Sequence, residues 1–253
     1  LFMHPNCQVL NHAGARIFRD ENLDFFSDYC EEKFENFLRY AIQISAKGKR
    51  GNYGGSIIHS HAFKSGDNKF GEYFGDGRKK LMKKYIRSFF WKESMRVTNH
   101  IKRNNIDFHK LFTKNEKLRF LLPVRHPIDC AVSNLKTGHV SNLNGLTKES
   151  PVEDVIEAIF DEFHWFIDLQ SRYPDRFFYF FENEITKGTF SNIAEFLKLE
   201  PLEGWIGNTL SAFDIKSNYN HSQSLIKHCR GIANDKFNDQ PEFKEKLLKL
   251  IQA

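Results

Sequence analysis

No apolar run in these 253 residues approaches the roughly 18 consecutive positions that a membrane-spanning helix needs, and no charged-then-apolar leader opens the chain. A soluble protein without a membrane span is the expectation, and with it a cytoplasmic location. Cysteine is scarce: there are four, Cys7, Cys30, Cys130 and Cys229, and none falls at CxxC spacing. That argues against a zinc ribbon and a disulfide framework and fits a reducing compartment. The phosphate-cradling pattern G-x-x-x-x-G-K-[ST] is nowhere in the chain. Charge is nearly balanced, with 37 Lys and Arg against 32 Asp and Glu, or +5. This mild excess favours anionic ligands without naming one. The basic clusters at 47–50 and 78–84 lack the interleaved stacking aromatics of a single-strand groove, so nucleic acid is not an expected partner.

What is present is a globular composition, 40% hydrophobic and 27% charged, ample for a closed core. No internal repeat and no second domain is visible, so residues 1–253 read as one domain. Leu1-Phe2-Met3 reads as the tail of a helix whose beginning is missing, stopped by His4-Pro5. Cys7-Gln8-Val9-Leu10 is a short strand, 23–46 an amphipathic helix, and 56–61 a further strand. Ser88-Phe89-Phe90-Trp91-Lys92 is an apolar run ending in a charge, followed by a helix over about 95–104. Phe120-Leu121-Leu122-Pro123-Val124 leads into a helix that Pro127 opens at its first position. A polar loop covers 138–150, a strong helix starts at Pro151, and Phe177-Phe178-Tyr179-Phe180-Phe181 reads as a strand covered on both faces. A helix over 193–199 and a last one from about Glu242 complete the chain. Strands alternate with helices and no strand pair is joined by a two-residue turn. That pattern predicts an α/β fold: a three-layer domain with a central parallel sheet flanked by helices.

The strand 120–124 ends in a permanent positive charge, Arg125. In a parallel α/β sheet, ligands bind beyond the carboxyl ends of the strands, where helix N-termini favour anions. The arginine fork suits a phosphate, and Ser133, two turns into the next helix, offers a hydroxyl to the same group. An ion pair between Arg125 and Asp129 is the structural alternative, and the residues alone leave both open.

The run Val124-Arg125-His126-Pro127-Ile128-Asp129-Cys130-Ala131-Val132-Ser133 resembles the R-x-P-x-D-x-x-x-S segment of sulfotransferases that use 3′-phosphoadenosine 5′-phosphosulfate (PAPS). Three more stretches are similar in order. Met3-His4-Pro5-Asn6-Cys7-Gln8-Val9-Leu10 looks like the family's L-x-x-H-P-x-V. Phe90-Trp91-Lys92-Glu93-Ser94 looks like its lysine-bearing strand end in the Golgi and bacterial branches, without the proline. Tyr179-Phe180-Phe181-Glu182-Asn183-Glu184-Ile185 with the run 190–199 looks like its Y-E-x-L … I-x-x-F-L-x-L. The resemblance implies a P-loop-like fold and a PAPS co-substrate whose 3′-phosphate is held by Arg125 and Ser133. It gives Glu182 a structural role, organising loops. The family's Gly/Ser/Thr-rich 5′-phosphosulfate loop is absent. It belongs upstream of His4, so either the chain is truncated at its N-terminus or the fold is a binding relic.

Sulfuryl transfer is an in-line displacement that needs a cation near the bridging oxygen and a base for the acceptor. Lys92 is the candidate cation. His12 is the candidate base, at a position where related branches carry a glutamate, and His59 and His61 remain alternatives from another strand end. His59-Ser60-His61 would place both rings on one face of a strand, but no further ligand set with zinc spacing accompanies it, so no metal is expected. The sequence-based expectation is therefore a PAPS-dependent sulfotransferase acting on a small-molecule, carbohydrate or protein-side-chain acceptor bound by the loops 48–77 and 138–150. A nucleotide kinase and a non-catalytic nucleotide- or nucleic-acid-binding domain are the alternatives.

Overall fold

The computed structural model describes residues 1–47, 54–60, 82–143, 145–212 and 220–252. The described strands are β1 (Cys7–Asn11), β2 (Gly55–Ser56), β3 (Ser88–Lys92), β4 (Phe120–Val124) and β5 (Phe177–Phe181). In chain order the described helices are α1 (Gly14–Ile17), α2 (Glu31–Lys47), α3 (Arg96–Arg103), α4 (Phe108–Lys114), α5 (Pro127–Thr137), α6 (Val152–Arg172), α7 (Lys187–Phe196), α8 (Glu203–Ala212), α9 (Gln223–Lys236) and α10 (Pro241–Gln252). The protein is an α/β chain, and its residues pack as two compact units: Leu1–Leu118 with Leu197–Phe213, and Arg119–Phe196 with Asp214–Ala253.

In the first unit the sheet order is β2-β1-β3. Strands β1 and β3 run parallel, as expected, in a register from Cys7↔Ser88 to Asn11↔Lys92. That register matters for chemistry, because the next residues of each strand, His12 and Glu93, emerge side by side. Strand β2 departs from the expected all-parallel sheet: it pairs antiparallel with β1 through Leu10↔Ser56 and Asn11↔Gly55. The strand expected over 56–61 ends at Ser56 and turns into a 3₁₀ segment, Ile57–His59. Helix α2 starts at Glu31, eight residues later than the periodicity at 23–46 predicts. The reason is Asp24, whose carboxylate accepts the N–H groups of Phe26 and Ser27 at 3.2 and 3.4 Å and so offers the backbone a turn instead of a helix. Leu1 lies in a turn closed by the His4 N–H on its carbonyl at 2.9 Å, not in the tail of a helix. The core is aromatic: Phe25, Phe26 and Phe37 are buried, and Phe37 meets Trp91 of β3 at 5.3 Å.

In the second unit β4 and β5 pair in parallel from Phe120↔Phe177 to Val124↔Phe181. The long helix α6 buries Val155, Ile156, Ile159, Phe160, Phe163, Phe166 and Ile167. Its rings and those of Phe177, Phe181, Phe237 and Phe243 form one cluster, with Phe237 and Phe243 4.9 Å apart and Phe166 edge-on to Phe177 at 5.2 Å. Each fully buried ring contributes about 1.5–3 kcal/mol relative to exposure. Pro127 opens α5 as the sequence predicts, and Gly138 at φ 77° closes it in the left-handed conformation. Helices α4, α8 and α9, which the hydrophobic pattern does not announce, complete the two units. No described helix is long and apolar enough to cross a membrane.

Candidate functional site

His12 and Lys92 come together in the first unit. His12 follows β1 at φ 65° and Ala13 follows at φ 89°, so the chain turns sharply at the strand end. Gly54 allows this turn: a Cβ there would sit 2.4 Å from Ala13 N and 2.5 Å from Asn11 O. The turn is fixed on its other side by β3, where the Lys92 carbonyl accepts the His12 N–H at 2.7 Å and Trp91 Nε1 donates to the His12 carbonyl at 2.7 Å. Glu93 then reaches under the turn. Its Oε1 lies 3.0 Å from His12 Nδ1 and its Oε2 accepts the Gly14 N–H at 2.8 Å.

The Glu93 side chain is only 2% exposed. Burial works against its charge, yet hydrogen bonds from His12, Gly14 and Ser94 and the nearby imidazole outweigh that and hold its pKa below the ordinary carboxylate value. A carboxylate on Nδ1 selects the tautomer that leaves Nε2 of His12 with its lone pair. That nitrogen is 3.4 Å from Lys92 Nζ. The result is a carboxylate–imidazole pair with a cation at its working end. Glu93, which no local pattern in the sequence singles out, is the residue that organises it. His59 lies on the 3₁₀ turn, so the argument that it shares a strand face with His61 does not hold, and His61 lies outside the described residues.

Arg125 and Ser133 belong to the second unit. Arg125 stands at the end of β4, one residue before His126, which caps α5. Its partner is not Asp129: Arg125 Nε donates to Glu182 Oε2 at 3.0 Å, while Glu182 Oε1 accepts the His126 N–H at 2.6 Å. Glu182 therefore clamps the end of β4 to the end of β5, which is the loop-organising role expected of it. The clamp uses only one edge of the guanidinium. Its terminal amino groups make no hydrogen bond among the described residues, and the side chain is 55% exposed. Ser133 lies half-buried on α5, and its carbonyl accepts from Thr137 Oγ1 at 2.7 Å.

Two other features have the look of sites. Ser27, His100 and Asp24 sit together, but the Ser27 hydroxyl at 3.0 Å and Asp24 Oδ2 at 2.9 Å both address the same nitrogen, His100 Nε2. A nucleophile relay needs them on opposite nitrogens, so this is a structural clamp. A cleft of about 390 Å³ opens beside β5, lined by Phe178, Phe180, Glu184, Glu242 and Lys246 among others, and none of the four expected site residues lines it. No family model matches the chain, and neither a curated protein nor a solved structure matches it.

Proposed function

We propose that the chain is a sulfotransferase of P-loop-like fold that moves a sulfuryl group from PAPS to a hydroxyl or amine acceptor. The observation that carries this reading is the presentation of Arg125. It sits at the carboxyl end of a parallel strand and just ahead of a proline-opened helix, with one edge anchored by Glu182 and its terminal amino groups making no hydrogen bond among the described residues. A fork held in this way suits two oxygens of a phosphate, and Ser133 follows at the spacing of the resembled motif.

In this reading Arg125 and Ser133 hold the 3′-phosphate. Lys92 offsets charge on the bridging oxygen, and His12 receives the acceptor proton on Nε2 as the acceptor attacks sulfur. The S–O bond to the 5′-phosphate breaks, and 3′-phosphoadenosine 5′-phosphate (PAP) leaves. Glu93 holds the imidazole in the tautomer this requires and stabilises the imidazolium that forms.

Thermal melting with PAP, ADP and a polynucleotide tests the reading. A ligand at ~100 times its dissociation constant adds about 2.7 kcal/mol of stability, and PAP is expected to raise the melting temperature more than ADP does. An ADP preference would point to a kinase-like domain, and a polynucleotide preference to a nucleic-acid-binding one. Either outcome overturns the proposal.

A further inference from the structure

Three side chains that the proposed chemistry does not use converge in the second unit. His126 caps α5, Asp129 lies in that helix's first turn, and His221 directly precedes Ser222, which caps α9. His221 Nε2 is 2.6 Å from Asp129 Oδ1, and His126 Nδ1 is 3.8 Å from the same oxygen. All three donor atoms lie within 4.8 Å of one another. The three side chains are at most 12% exposed, so this is not a chance meeting of surface residues. His126 Nδ1 accepts the Asp129 N–H at 3.4 Å, so this nitrogen carries a lone pair, and an ion would take that lone pair in place of the long capping bond.

We propose that His126, Asp129 and His221 bind one divalent transition-metal ion of the zinc class, with water as the fourth ligand. Two imidazoles and one carboxylate form a donor set that suits zinc, whereas magnesium and calcium take oxygen ligands. Bonds of about 2.0–2.2 Å in a tetrahedron place ligand atoms about 3.2–3.6 Å apart. The 2.6 Å contact therefore opens and the 3.8 Å contact closes, each by less than about 1 Å on those bond lengths. The two imidazole nitrogens, within 4.8 Å of each other, must also close to that spacing, and because the rings stack at 5.2 Å and 20° this takes a ring rotation about the soft terminal torsion. The ion would fasten the start of α9 to the turn that presents Arg125, a structural role separate from sulfuryl transfer.

The test strips the full chain with chelator, then titrates Zn²⁺ and Mg²⁺ while metal content and melting temperature are followed. One zinc per chain and a melting temperature that rises with zinc but not magnesium are expected. His221→Ala and Asp129→Ala should weaken zinc binding at least about tenfold. Should neither variant fold, the visible spectrum of the wild-type chain loaded with Co²⁺ decides, with a tetrahedral band expected. No bound zinc, zinc held equally by folded His221→Ala, or an octahedral cobalt spectrum overturns the assignment. Nucleotide binding does not enter these measurements, so the inference stands or falls apart from the function proposed above.

Discussion

Glu182 ties Arg125 to the helix that follows it: one carboxylate oxygen accepts from Arg125 Nε at 3.0 Å and the other from the His126 N–H at 2.6 Å. The arginine is thereby oriented without being used up. Glu182→Gln keeps an acceptor for one partner and removes the charge that aims the guanidinium. Because Arg125 is more than half exposed, loss of the ion pair should cost no more than about 1 kcal/mol of stability. Binding of PAP should weaken by roughly three- to tenfold, the size of one lost hydrogen bond. Calorimetric titration checks this, and unchanged affinity would mean that the clamp does not serve the ligand.

The contact between His12 and Glu93 makes a kinetic prediction. Loss of a general base typically costs about 10²–10⁴ in rate, so His12→Ala should lower turnover by that order while PAP affinity stays nearly constant. Glu93→Gln should act through His12. It removes the carboxylate that holds the ring tautomer, so turnover should fall while PAP affinity stays nearly constant, and His12→Ala/Glu93→Gln should be no slower than His12→Ala alone. Additive losses in the double variant would show that Glu93 does not act through His12.

Buried titratable groups set the acid stability. His4 is fully buried, with Nε2 at 2.9 Å from the Glu200 carbonyl and Nδ1 accepting the Asn6 N–H at 3.1 Å. Burial, opposed by the Glu200 carbonyl, holds its pKa below the ordinary 6.5. The folded state therefore binds fewer protons than the unfolded chain in that interval, and stability present above pH 6.5 is lost as pH falls toward the folded value. Glu93 and Asp24 are partly desolvated, but hydrogen-bond donors hold both below their ordinary values of 4.5 and 3.8. Their contribution is present above those values and is lost at still lower pH. Melting temperatures recorded from neutral to acid pH should thus fall in two stages, and Glu93→Gln should shrink the second. A melting temperature that stays flat until the carboxylates titrate would contradict the part assigned to His4.

How much of this was legible in the chain depends on the range of the interaction. The strand 120–124, the arginine at its end and the helix opened by Pro127 are written in local apolar runs and in one residue's fixed φ, and they stand where the pattern predicts. The start of α2 is not, because a single Asp24 carboxylate diverts the backbone from a helical pattern that begins at Leu23. The antiparallel β2 was hidden by its length of two residues. Glu93 and His12 are 81 positions apart and Asp129 and His221 are 92 apart, so no spacing rule reaches either pair. Only the level register of β1 and β3, and the closing of α9 on α5, bring these groups together.

Arg125 is proposed as a bidentate ligand of a 3′-phosphate, and titration of PAP and ADP into the wild-type chain and Arg125→Lys decides whether it is. Lysine keeps the charge and loses the planar fork. Hydrogen bonds to charged groups contribute about 1.5–3 kcal/mol, so PAP affinity should drop by roughly ten- to a hundredfold in the variant. ADP, which lacks the 3′-phosphate, should bind both proteins alike, and the melting temperature of the unliganded variant should stay close to that of the wild type. Equal PAP affinity in the two proteins, or equal affinity of the wild type for PAP and ADP, would contradict the account.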